Sequence, residues 1–275
     1  MKVAIQGAEA SFHDIARTAY FSNGENVLHC DTFKQVFQAV ENDKVDAGLV
    51  AIENSLYGSI NDVYDLLLKY KFWISGEIYL RINHCLLGVK GASLNSIKEI
   101  HSQLPALAQC EEFLDTKLSN AERLEHHDTA ASAADVAKWN DITKAAIASK
   151  AAGKLHGLEL IAENIETHKQ NYTRFIVFGK DKAEDINSTK TSLVMRTDHQ
   201  PGALFRALEA FAKNDINLSK LESRPIIGKA WHYMFYLDFD QGVHSPATET
   251  ALAELKTMKI ELMLLGSYQK GQIIQ

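Results

Sequence analysis

Residues 170–175 read QNYTRF and lead straight into the apolar run IVFG. An amide, a hydroxyl and a guanidinium, on Asn171, Thr173 and Arg174, thus stand at the entrance of what reads as a buried strand. Groups of these types either complete the turn that opens a strand or face a ligand as hydrogen-bond donors. Four further places gather similar chemistry: Ser11 after GAEA, Asn54 and Ser55 after DAGLVAIE, Ser102 at the end of IKEIHS, and Asp128 and Thr129 after ERLEHH. Each can cap a helix start, which is the commonest use of these residue types. If several helix starts converge, their free N–H groups and aligned dipoles offer a seat to an anion instead. Spacing alone does not choose between the two.

The elements that must position these groups alternate in type. KVAIQ reads as a strand and FHDIARTAYF as a helix, with GAEAS between them. DAGLVAI leads through ENSLYGS into INDVYDLLLKY, IKEIHS through QLP into ALAQCEEFLDTK, and ERLEHH through DT into AASAADVAKW. Near-continuous apolar strands alternating with helices predict a parallel sheet covered on both faces. In such sheets the strand-to-helix junctions collect at the carboxyl ends of the strands, where ligands bind. The polar stretch GKDKAEDINSTK, residues 179–190, reads as a linker, and residues 191–275 parse separately.

The bulk properties narrow the function. With 275 residues, 46% hydrophobic and 23% charged, the chain has the make-up of a globular protein of two domains. A formal charge of −6 argues against nucleic acid as a partner, while leaving a local site for a small anion open. Cys30, Cys85 and Cys110 are odd in number and lack a C-x-x-C spacing, which argues against a disulfide framework or a zinc cluster. MKVAIQG is too short an apolar start for a signal peptide, and no run is long enough to span a membrane, so a cytoplasmic protein is expected. No P-loop, dinucleotide glycine fingerprint or metal-ligand cluster is present. His13, His101, His126 and His127 lie near junctions, but none is spaced with Cys or Asp for nucleophilic catalysis.

LVAIENSLYGSI, HSQLPALAQC, DTAASA, AAIAS and NYTRF, in that order, resemble the prephenate dehydratase family. The resemblance implies an α/β catalytic domain at 1–180, two-lobed like the type II periplasmic binding proteins. Lobe 1 would hold about 1–77 and 168–180, lobe 2 about 78–167, with 181–190 as linker. It also implies loss of water and carbon dioxide from prephenate to give phenylpyruvate in phenylalanine biosynthesis, without cofactor or metal. Thr173 matches the family's essential threonine and would hydrogen-bond the leaving hydroxyl, with Glu53 one source of the proton. Ser11, Asn54, Ser55, Ser102, Gln109 and Thr129 would line the cleft, and Arg174 and Phe175 complete the motif at the substrate. Strand alternation turns Thr173 and Arg174 to opposite faces. Arg174 is therefore either a carboxylate clamp or one half of a structural ion pair. Three positions depart from the family: Ala10 where Gly is usual, Ala51 for Pro, and Gln103-Leu104-Pro105 for His-Pro-Gln.

Residues 191–275 resemble an ACT regulatory domain with βαββαβ order, strands near 191–197, 216–224, 230–239 and 260–268 and helices near 202–213 and 246–257. GALF supplies Gly202, Ala203 and Leu204, and ESRP supplies Glu222, Ser223, Arg224 and Pro225, for binding L-phenylalanine as a feedback inhibitor. The resemblance further implies a homodimer or homotetramer. Because the chain begins at the first dehydratase strand, a single-activity enzyme without a chorismate mutase domain is expected. Arogenate is the alternative substrate, and a non-catalytic amino-acid sensor the alternative class.

Overall fold

The structure is a computed structural model that describes residues 1–21, 26–182, 185–226, 228–229 and 231–274. Ala183 and Glu184 of the expected linker, Ala230 at the start of the expected strand 230–239, and Gln275 lie outside the described residues. The chain runs β1 (Lys2–Gln6), α1 (Phe12–Phe21), β2 (Asn26–Cys30), α2 (Phe33–Glu41), β3 (Ala47–Asn54), β4 (Gly58–Ser59), α3 (Asn61–Tyr70) and β5 (Trp73–Arg81). It continues with β6 (Cys85–Gly88), β7 (Glu99–Ser102), α4 (Leu104–Gln109), α5 (Glu111–Lys117), β8 (Glu122–Glu125), α6 (Thr129–Trp139), β9 (Lys144–Ala148), α7 (Lys150–Leu155) and β10 (Glu159–Glu163). Then follow β11 (Tyr172–Gly179), β12 (Lys190–Arg196), α8 (Ala203–Lys213), β13 (Leu218–Pro225), β14 (Tyr233–Phe239), α9 (Pro246–Thr257), β15 (Glu261–Tyr268) and β16 (Ile273–Ile274).

Three sheets result. The first has the order β16-β5-β11-β3-β1-β2, with β4 paired to β3. Its β1 lies parallel to both β2 and β3. The interior of β3 is apolar without a break because α1 and α2 pack against it, and residues 47–52 are buried throughout. The second sheet has the order β10-β6-β9-β7-β8. Here the expectation of parallel pairing needs correction: β7 is parallel to β8 and β9, but β6 runs antiparallel to β9 and β10. Neither β6 nor β10 belongs to a strand–junction–helix unit. They sit where the chain enters this sheet from β5 and leaves it for β11, so the crossover rule that enforces parallel pairing does not act on them. The third sheet, β13-β14-β12-β15, is antiparallel, with α8 and α9 contributing Ala207, Phe211, Ala251 and Leu255 to a core shared with Leu193 and Phe239. Element order here is βαββαβ.

The helix expected over 106–117 is two. Thr167 N donates to the carbonyl of Gln109 at 2.8 Å, and Glu112 N donates to Thr167 Oγ1 at 3.4 Å. A residue inserted into the i→i−4 ladder breaks it, and the break falls at Cys110. By contacts, the chain divides into Met1–Tyr64, Ile78–Phe175 and Ile273–Gln275 as one compact unit, and Asp65–Glu77 with Ile176–Gln272 as the other. Among the described residues no helix is long and apolar enough to cross a membrane.

Candidate active site

Inside the first unit the junctions converge. Ser149 Oγ donates to the carbonyl of Ala10 at 2.8 Å, joining the loop after β1 to the start of α7. A Cβ on Gly7 would stand 2.8 Å from Asp128 Oδ2, so the same loop also touches the start of α6. Gln103 Nε2 donates to the carbonyl of His127, and Tyr57 OH reaches the carbonyl of Pro105 at 3.4 Å. Ala10 has φ +61, a left-handed backbone that costs a residue with Cβ about 1–2 kcal/mol and that glycine takes without strain. That is the position where the family resemblance calls for Gly.

Capping explains some junctions and not others. Ser11 Oγ accepts from Asp14 N at 3.3 Å, and Asp128 Oδ1 accepts from Ala131 N at 2.8 Å; Thr129 behind it is buried as the first residue of α6. Ser102 caps nothing. It is wholly buried, and its hydroxyl donates to the carbonyl of Ile147 at 2.7 Å, a bond from β7 to its neighbour β9. The expected substrate donor is thus an internal tie of the second sheet. Ser55 is exposed, but its hydroxyl donates to the carbonyl of Gln170 and accepts from Tyr172 N, latching the β3 end to the start of β11.

Asn54 lies at the centre. Its Oδ1 accepts from the backbone N–H groups of Leu56 at 2.9 Å and Tyr57 at 3.1 Å. Its Nδ2 donates to Asn171 Oδ1 at 2.8 Å and to Thr173 Oγ1 at 3.0 Å. Two donors and two acceptor sites are the whole capacity of a carboxamide. Asn54 is therefore full, and the expectation that it binds substrate gives way to one that it holds Thr173. The Thr173 hydroxyl accepts from Asn54 and has no acceptor for its own hydrogen among the described residues. A hydroxyl that accepts one hydrogen bond becomes a better donor of the next.

Around this pair the other motif residues settle into packing. Arg174 is buried with Nη1 3.8 Å from Glu53 Oε2, the ion pair that was one of its two expected roles. Phe175, expected at the substrate, is a core residue 1% exposed, its ring edge-on to His13 at 5.0 Å. His13 Nε2 accepts from Ala51 N at 3.1 Å, and burial pushes the imidazole down to about 3, so this histidine is a neutral structural acceptor. Gln109 Oε1 accepts from Asn171 Nδ2 at 2.8 Å and lies 2.6 Å from His84 Nε2. Asn171 was expected either in the strand-opening turn or at a ligand, and His84 carried no expected role. The alternation that separates Thr173 from Arg174 also puts Asn171 on the Thr173 side, so that signal was present. A lone His84 ahead of an apolar run gives none.

In the second unit Gly202 has φ +78 and opens α8, with Ala203 buried and Leu204 half-buried behind it. Ser223 and Pro225 are exposed on the end strand β13, while Glu222 and Arg224 are half-buried. Glu222 pairs with Lys220 at 3.1 Å. Arg224 Nη2 donates to both carboxylate oxygens of Asp65, at 3.3 and 3.1 Å, so its guanidinium is engaged by α3.

Comparison with known proteins adds the family. Residues 3–183 match the family described as prephenate dehydratase, and residues 191–257 match the ACT domain. The bifunctional chorismate mutase/prephenate dehydratase of Aquifex aeolicus is 36% identical over 271 residues, covering 98% of this chain and 74% of that protein. Arogenate dehydratase 2 of Petunia hybrida is 38% identical over 286 residues, covering 98% and 71%. The crystal structure of prephenate dehydratase from Arthrobacter aurescens in complex with L-Phe superposes with a TM-score of 0.86 at 28% identity, covering 98% of this chain and 90% of that one. A family match over residues 3–183, with relatives that match along nearly the whole chain, places the protein: it belongs to the prephenate dehydratase family and carries a C-terminal ACT domain.

Proposed function

We propose that the chain catalyses the decarboxylating dehydration of prephenate to phenylpyruvate and is inhibited by L-phenylalanine through its ACT domain. The catalytic region is residues 1–180 and the regulatory region 191–275. In the reaction the ring carboxylate leaves as carbon dioxide, its bonding pair entering the ring as the ring C–O bond breaks. The departing hydroxide takes up one proton and leaves as water. Thr173 serves that departure. Its oxygen accepts from Asn54 Nδ2 while its hydrogen has no acceptor among the described residues and is available to the leaving oxygen, and this is the observation that carries the reading. A threonine hydroxyl is a poor acid, so it stabilises the developing charge by hydrogen bonding while solvent or a neighbouring acid supplies the proton. In this reading Gln109 and Thr129 serve the two carboxylates as neutral donors.

Purified protein incubated with prephenate should form phenylpyruvate, read by its absorbance in alkali, and L-phenylalanine should suppress it. The Petunia relative favours arogenate as a second substrate, which differs by one amino group, and the ratio of kcat/KM for the two acids decides between them. Absence of product from either acid would leave an amino-acid sensor. The expected homodimer or homotetramer draws support from β13, an end strand with Leu221 and Ser223 exposed. Free Cys30, Cys85 and Cys110 suit a cytoplasmic location.

The Arg224–Asp65 pair gives regulation a handle. Asp65 sits on α3, and the division between the two compact units falls within that helix, between Tyr64 and Asp65. Asp65→Asn should leave basal kcat unchanged and raise the phenylalanine concentration for half-inhibition about 5-fold or more, the lower end of ordinary coupling energies. An unaltered inhibition curve would show that the pair transmits nothing.

A further inference from the structure

The polarity of the amide network is set by the backbone at one end and terminates at a histidine. Leu56 N and Tyr57 N can only donate, so Asn54 presents Oδ1 to them and Nδ2 to Asn171. Asn171 must then meet Asn54 with Oδ1 and Gln109 with Nδ2. Gln109 Oε1, already an acceptor, lies 2.6 Å from His84 Nε2, so that nitrogen carries the proton. Burial lowers the His84 pKa, which keeps the ring neutral and leaves Nδ1 as a bare acceptor. Nδ1 is buried with no donor among the described residues, a condition that costs stability. The fold nonetheless holds the ring there: Glu166 Oε2 accepts from His84 N at 3.0 Å and Phe12 packs edge-on against the imidazole.

With both lone pairs of Oε1 taken, the Gln109 NH2 group has no partner among the described residues, and Gln109 is half-buried where its four network partners are buried. We infer that His84 and Asn171 are positioning residues that lock the Gln109 amide with its NH2 toward the substrate. The network thereby offers a dianion two hydrogen-bond donors, from Thr173 and Gln109, and no amide carbonyl. A flipped Gln109 would present an acceptor to a carboxylate, which is the error the relay excludes. This assignment rests on the dehydratase reading of the site.

A double-mutant cycle tests it. Gln109→Ala alone should lower kcat/KM; near-normal activity there would sink the reading of the site itself. His84→Leu should lower kcat/KM about 10²-fold, the scale of a misplaced contact, with His84→Gln, which retains a donor, recovering most of the loss. In the Gln109→Ala background His84→Leu should have little further effect, because it acts only through Gln109. Additive losses, or full activity in His84→Leu, would overturn the relay while leaving the site intact. If His84→Leu does not fold, His84→Phe, which keeps a flat ring without the donor, gives the same two outcomes in the same cycle.

Discussion

Thr173→Ala should lower kcat by about 10²–10³, the usual loss for one well-placed donor to developing charge, with a much smaller change in KM. The split follows from the geometry. The hydroxyl is held by Asn54 before substrate arrives, and its hydrogen, with no acceptor among the described residues, responds as the C–O bond lengthens. Thr173→Ser keeps that hydrogen and should retain part of the activity, while Thr173→Val, equal in shape but without the hydroxyl, should fall with Ala. The substitution also strips one acceptor from Asn54 Nδ2, costing about 1–3 kcal/mol of stability. Rates must therefore be taken on protein shown to be folded by near-ultraviolet circular dichroism. Wild-type kcat in folded Thr173→Ala would remove this residue from the mechanism.

How much of this could be read from the chain depends on how far each partner lies along it. The first strand and helix agree with expectation at Lys2–Gln6 and Phe12–Phe21, and α9 agrees at Pro246–Thr257, because local periodicity and polar junctions define them. The split at Cys110 needs Thr167, and Ser102 turns inward because β9 brings the Ile147 carbonyl beside it. Neither partner is local, so a polar residue at a junction looked like a substrate donor in both sheets. Family resemblance set Thr173 at the leaving hydroxyl and Asn54 on the cleft wall, without the hydrogen bond that joins them. Only the counted hydrogen bonds separate the one that is spent from the one that is free.

Lys190 makes the same point with a larger energy. Composition assigns it to the polar linker, yet it opens β12 and is 2% exposed, with Nζ 3.1 and 2.9 Å from the two carboxylate oxygens of Glu77 on β5. Gly271 N donates to Glu77 Oε1 at 3.1 Å as well. A buried pair of this kind stabilises little relative to apolar residues of the same shape, since two ions are desolvated to make it. Removing one partner is different, because the other charge is left in a medium that solvates it poorly. Lys190→Met should therefore destabilise the protein by about 3–5 kcal/mol in chemical denaturation. Replacing both, as Lys190→Met with Glu77→Leu, should lose less than Lys190→Met alone, because no ion is stranded. If the double variant proved the less stable of the two, the pair would be a net contributor to stability in its own right, and the desolvation argument would fail at this site.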